Sequence, residues 1–105
     1  MNAHGIELDT PELREFCRKW KIKELCVFGS FLRDDFGPDS DIDFLIEHDE
    51  DVEWDIFDHF DMEEELAGIV GRQVDLVDRE VVEQSRNRFR KREILSTAEP
   101  VIATR

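Results

Sequence analysis

The stretch GSFLRDDFGPDSDID, residues 29–43, decides the fold of this 105-residue chain. Just upstream, residues 25–28 (LCVF) are an apolar run too short for a helix and ended by Gly29, so they read as a buried strand. Residues 30–34 read as the start of a short helix whose free N–H groups point back at the loop. Residues 36–40 (FGPDS) are a turn, and residues 41–47 are a second strand. Along it Ile42, Phe44 and Ile46 alternate with Asp41, Asp43 and Leu45. One face is therefore core, and the other opens with two acids.

Outward from this centre the chain keeps alternating helix and strand. Thr10, Pro11 and Glu12 form a helix start: a hydroxyl cap, a proline at the first helical position and an acid near the positive dipole end. Leu13, Phe16, Cys17 and Trp20 follow at the spacing of one apolar helix stripe. Residues 52–70 read as helical with a very acidic middle. Met62, Leu66, Ile69 and Val70 share the inward face there, and Gly71 is the stop. Trp54, Ile56, Phe57 and Phe60 fall on a different arc, which places the helix start late or a bend near them. Residues 72–78 (RQVDLVD) are a third strand, with Val74 and Leu76 on one face and Asp75 and Val77 on the other. Residues 79–95 read as helix with breaks, and residues 100–103 as a short edge strand that tolerates its leading proline. The expectation is one α+β domain over residues 1–105, a small mixed sheet of about four strands flanked by helices.

Charge excludes some functions. The chain has 27 acidic against 14 basic side chains, net −13. Residues 84–105 run the other way, with six basic and two acidic side chains. Most of this surface repels a long nucleic acid, and a template-length polymerase is not expected. No apolar run approaches the roughly 20 residues of a membrane span, and residues 1–8 show no signal-peptide pattern. Cys17 and Cys26 have neither a disulfide nor a zinc spacing and read as small buried residues of a cytoplasmic protein. His4, His48 and His59 share no spacing and read as surface residues. The basic run Arg86, Arg88, Arg90, Lys91 and Arg92 fits either a solvated helix face or a contact to RNA or an acidic partner. Trp54, Phe57 and Phe60 divide between core and an interface patch.

Asp41 and Asp43 on one strand and Asp75 on another converge if the strands are neighbours. Two carboxylates about 5 Å apart repel by roughly 3 kcal/mol at an effective dielectric near 20, so the arrangement calls for a cation. All-oxygen ligation points to Mg²⁺ or Mn²⁺. Two such ions can activate an attacking hydroxyl and stabilise a pyrophosphate leaving group. Gly29 lets backbone approach a phosphate, and Ser30 adds a hydroxyl donor. A D-x-D, a Gly-Ser turn or an Asp within V-D-L-V is ordinary by itself. Their order and placement together indicate a nucleoside triphosphate site.

These segments resemble the minimal nucleotidyltransferase (MNT) domain of the DNA polymerase β superfamily. The family pattern is a strand, G-S, a short helix with A-R-G, a D-S-D-x-D strand, a long helix and a G-x-x-V-D-L-V strand. The chain reads VFGSFLRDDF, PDSDIDFLIE and GRQVDLVD, and NRFRKREIL resembles the closing helix. The resemblance implies a polymerase β-like fold, with Asp41, Asp43 and Asp75 as catalytic, metal-binding acids. Gly29, Ser30 and Arg33 are then the nucleotide-binding residues. Leu32 and Asp34 depart from the family's small residue and glycine, which bears on substrate affinity. The implied activity is transfer of AMP from ATP to a hydroxyl, with the acceptor supplied by a partner because the chain ends where the catalytic core ends. The implied partner is a HEPN ribonuclease toxin, modified on a tyrosine within a hetero-oligomer, with this chain as antitoxin. Two alternatives stand beside it: an antitoxin that blocks its partner sterically, and a small-molecule transferase of the aminoglycoside type.

Overall fold

In this computed structural model, residues 1–103 are described. The chain forms a four-stranded mixed sheet with helices on both faces. In chain order the elements are β1 (Asn2–Ala3), β2 (Ile6–Glu7), α1 (Pro11–Lys19), β3 (Ile22–Phe28), a 3₁₀ turn (Gly29–Leu32), β4 (Ile42–His48), α2 (Ile56–Val70), β5 (Val74–Asp78), α3 (Arg79–Glu83), α4 (Arg88–Thr97) and β6 (Glu99–Ala103). The sheet order is β5-β4-β3-β6, with β4 antiparallel to β3, β3 antiparallel to β6, and β5 parallel to β4. The β4–β5 connection is the long α2 crossover that a parallel pair requires.

Local chemistry sets these boundaries. Thr10 caps α1 by accepting from the Leu13 N–H at 3.2 Å, and Leu13, Phe16 and Cys17 are buried beneath it. α2 begins later than residue 52 because Asp55 and Asp58 close a reciprocal capping box, each accepting from the other's backbone N–H. That start leaves Ile56, Phe57 and Phe60 exposed, while Trp54 packs on the core and meets His48 edge-on. Gly71, at φ 73°, ends α2 in the left-handed conformation. The helical stretch after β5 breaks in two, with Asp78 capping α3 and Asn87 capping α4. The short helix after β3 is a single 3₁₀ turn, closed by the Arg33 N–H on the Ser30 carbonyl. A hairpin of β1 and β2, turning through His4 and Gly5 at positive φ, was not foreseen in the sequence.

The main core lies between the sheet and the α1/α2 layer, with Phe16, Leu25, Val27, Phe44, Ile46, Met62 and Leu66 at its centre. A second, smaller core covers the other sheet face. It is built from Cys26, Phe28 and Leu45 under Val82 of α3 and Ile94 of α4. Leu45 thus lies fully buried on the face that opens with the acids. Because α3 and α4 cover only part of that face, a hollow remains at the N-terminal ends of β4 and β5. The edge strand β5 is guarded by α2, whose Glu63 carboxylate accepts from the Leu76 N–H at 3.2 Å.

Candidate active site

The parallel register pairs Asp43 directly with Asp75. Neighbouring strands lie about 4.8 Å apart and paired side chains share a face, so the two carboxylates sit side by side. Asp43 is half-buried; burial first, then the charge of Asp75 and that of Asp41, push its carboxyl above the usual aspartate range. The Ser30 backbone N–H and the Arg33 charge oppose that rise without cancelling it. The site therefore stores an excess of negative charge that a cation relieves.

Gly29 at the end of β3 is favoured by both its backbone conformation and the space around it. Its φ is 68°, and a Cβ built there would collide with Asp43 Oδ2 and lie 3.2 Å from its Cγ. The glycine makes room for the carboxylate as well as turning the chain. Ser30 Oγ donates to the Asp41 carbonyl at 3.1 Å, tying the 3₁₀ turn to the residue that precedes β4. The turn over residues 37–40 is held from below. Arg72 donates through Nη2 to the carbonyls of Gly37 and Ser40, at 2.6 and 2.7 Å, and its guanidinium lies over the Phe36 ring.

A cavity of about 590 Å³ opens above the acid pair. Gly29, Arg33, Asp43 and Asp75 line it, joined from α4 by Arg90, Glu93, Ile94 and Thr97. Asp41 is exposed and does not line this cavity; it stands just before β4, within electrostatic reach of Asp43. Leu32 packs on the main core and borders the cavity, whereas Asp34 is exposed. Among the described residues, the carboxylates of Asp41, Asp43 and Asp75 are not drawn into one cluster with all ligand atoms within 4.8 Å. Asp43 and Asp75 share the cavity, and Asp41 stands outside its lining.

The α4 contribution was missed because the basic run hid it. Residues 90, 93, 94 and 97 stand at i, i+3, i+4 and i+7, the spacing of a single helix stripe. Ile94 anchors that stripe in the smaller core, and its polar members face the acids. Arg88 and Arg92 lie along an adjacent stripe with the exposed Phe89. Lys91 donates to the Glu83 carbonyl at 2.7 Å and ties α4 to α3.

A family model described as nucleotidyltransferase domain matches residues 12–99. The protein adenylyltransferase MntA of Thermococcus cleftensis is 32% identical over 68 residues, covering 65% of this chain and 67% of its own length. A protein of Methanocaldococcus jannaschii that carries the same activity name provisionally is 33% identical over 64 residues, 61% of this chain and 64% of its own. The chain thus spans a little under two thirds of that relative. Among solved structures, a chain of a toxin–antitoxin complex with AMP-PNP superposes with a TM-score of 0.67 at 19% identity, covering 90% of this chain and 73% of its own. A chain from the complex of a tri-AMPylated Shewanella oneidensis HEPN toxin with its MNT antitoxin gives 0.60 at 19%, covering 89% and 68%. These two likenesses establish the shared fold. No helix among the described residues is long and apolar enough to cross a membrane.

Proposed function

The chain belongs to the nucleotidyltransferase domain family, and from that premise we propose that it moves AMP from ATP to a hydroxyl on a partner protein. The observation that carries this reading is the side-by-side pair Asp43 and Asp75 in one cavity with Gly29, Arg33 and Arg90. The adenylyltransferase name of the Thermococcus relative supports the reaction, and the toxin–antitoxin neighbours support a HEPN-type toxin as acceptor. The protein is then an antitoxin that works in the cytoplasm by modifying the toxin within a hetero-oligomer.

The donor set suits hard divalent cations: every candidate ligand is a carboxylate oxygen, and Asp43 is held in an anion-rich position short of counter-charge. Asp41, Asp43 and Asp75 would hold two Mg²⁺ or Mn²⁺ ions, which supply charge stabilisation for the phosphoryl group and the departing pyrophosphate. Gly29 and Ser30 accept the triphosphate against the turn. Arg33 and Arg90, cations on two sides of the cavity, pair with phosphate oxygens. The acceptor oxygen bonds to the α-phosphorus as the bond from that phosphorus to the α,β-bridging oxygen breaks. Asp75 takes the hydroxyl proton and passes it to water, and pyrophosphate leaves.

The test is transfer from labelled ATP to a co-purified HEPN-type partner, with Mg²⁺ present. The Asp41→Asn/Asp43→Asn variant should fold and transfer nothing detectable. Persistent transfer by that variant would refute the site assignment. In cells, full protection by the same inactive variant would favour steric blocking over chemistry.

A further inference from the structure

The C-terminal ends of β4 and β5 carry a second group of ligand-type side chains, at the opposite end of the strands from the acid pair. The register sets Ile46 beside Asp78. His48, two residues further along β4, therefore stands over Asp78 and over Glu80 in the first turn of α3. His48 Nε2 lies 3.1 Å from Glu80 Oε2 and 4.0 Å from Asp78 Oδ2, and the three ligand atoms all fall within 4.8 Å of one another. From Asp43 to His48 is five residues of strand, about 16 Å, so the two sites are separate.

The hydrogen bonds around this group aim it inward. His48 Nδ1 lies 2.8 Å from the Asp49 carbonyl, which can only accept, so Nδ1 carries the proton and donates. Nε2 then faces two carboxylates, an arrangement that calls for an electrophile between them, either a second proton or a metal ion. A proton on Nε2 answers Glu80 alone. Asp78 uses Oδ1 to accept from the Glu80 N–H at 2.8 Å, and its Oδ2, the atom turned to the imidazole, has no hydrogen-bond donor among the described residues. A metal ion answers all three ligands at once. Ligand bonds of about 2.1 Å put neighbouring donor atoms roughly 3.0–3.4 Å apart in octahedral or tetrahedral shells. The His48–Glu80 separation of 3.1 Å already matches, and Asp78 Oδ2, at 4.0 Å from Nε2, would have to close by about half an ångström. The cavity beside them, about 360 Å³, is also bordered by Glu50 and Glu83. Arg79 and Glu47 line the same cavity, and the Arg79 charge is taken up by ion pairs with Glu24 and Glu47.

We propose that His48, Asp78 and Glu80 form a three-ligand site for a divalent transition-metal ion of the zinc class, distinct from the nucleotide site. One imidazole nitrogen with two carboxylate oxygens suits Zn²⁺, Co²⁺ or Ni²⁺ better than Mg²⁺. The ion would join the ends of two strands to the start of α3.

The full chain, stripped with EDTA and desalted, is titrated with zinc sulfate by calorimetry at about pH 8, because the Asp49 carbonyl and the Asp78 and Glu80 charges raise the His48 pKa above the ordinary value. Cobalt chloride gives a parallel optical readout. One equivalent should bind with micromolar or tighter affinity, in the presence of excess Mg²⁺ and equally in the Asp43→Asn variant. His48→Gln and the surface variant Glu80→Gln should each weaken binding by about tenfold or more. The second variant is informative even if the first folds poorly, because Glu80 is largely exposed. No uptake at micromolar zinc would overturn the proposal, as would uptake that survives both variants or disappears with Asp43→Asn.

Discussion

Replacing Asp43 by asparagine should make the metal-free protein more stable while removing its activity. Asp43 and Asp75 are register partners on adjacent parallel strands, so their carboxylates are about 5 Å apart. At an effective dielectric near 20 that separation costs about 3 kcal/mol. Asp75 is exposed, and solvent and salt screening reduce the figure to about 1 kcal/mol. Burial of the Asp43 charge adds to the same side, and an asparagine oxygen still accepts from the Ser30 N–H. For a domain of this size about 1 kcal/mol is a rise of roughly 4 °C in Tm. The assay is thermal unfolding followed by circular dichroism in EDTA at low salt, then with excess Mg²⁺. Wild type should gain stability from Mg²⁺, and the variant should gain little. Protonation relieves the same repulsion. Because the folded-state pKa of Asp43 is raised, its contribution is favourable below the ordinary aspartate value and is lost as pH climbs through the raised one. The advantage of the variant should therefore shrink in acid. A Tm for Asp43→Asn at or below wild type in EDTA, or an equal Mg²⁺ response in both proteins, would refute the reasoning.

Gly29→Ala should lose nearly all transfer at a stability cost of about 1–2 kcal/mol from the left-handed backbone, because the new methyl displaces the Asp43 carboxylate. Urea unfolding beside a transfer assay separates the two effects. Arg72→Ala removes two charge-assisted hydrogen bonds and the stack on Phe36. It should cost about 1–3 kcal/mol and weaken nucleotide binding by loosening the turn before Asp41, measurable by calorimetry. Cys17 and Cys26 are buried, and burial pushes both thiols up to about 12. Disulfide reagents at about pH 8 should label neither until the protein unfolds. The sign for stability follows: it should fall as pH rises beyond about 8.5, where only the unfolded thiols ionise, and a flat alkaline profile would count against it.

The parts of the site that were legible share a physical cause. A strand projects side chains with period two, so the faces of Asp43 and Asp75 follow from their neighbours Phe44 and Leu76 without any tertiary knowledge. Helix α1 was legible through its cap and apolar stripe, and the buried cysteines through their place among apolar residues. Arg90, Glu93 and Thr97 were obscured because a polar stripe inside a basic run has the same composition as a solvated face. Only the anchoring of Ile94 in the smaller core turns that stripe towards the acids. The start of α2 shifted because a local capping box outweighed the apolar residues ahead of it.

The order of elements from α1 to β5, the two acid-bearing strands and the glycine turn between strand and acids follow from the sequence alone, since each depends on local periodicity and backbone freedom. The tertiary structure decided what stands beside what. The parallel register sets Asp43 against Asp75 and, by the same alignment, brings His48 over Asp78. The close approach of Asp43 to Gly29 likewise depends on how β3 pairs with β4. Strand register is fixed by the burial of whole faces against distant helices, a non-local balance that no short window of sequence contains.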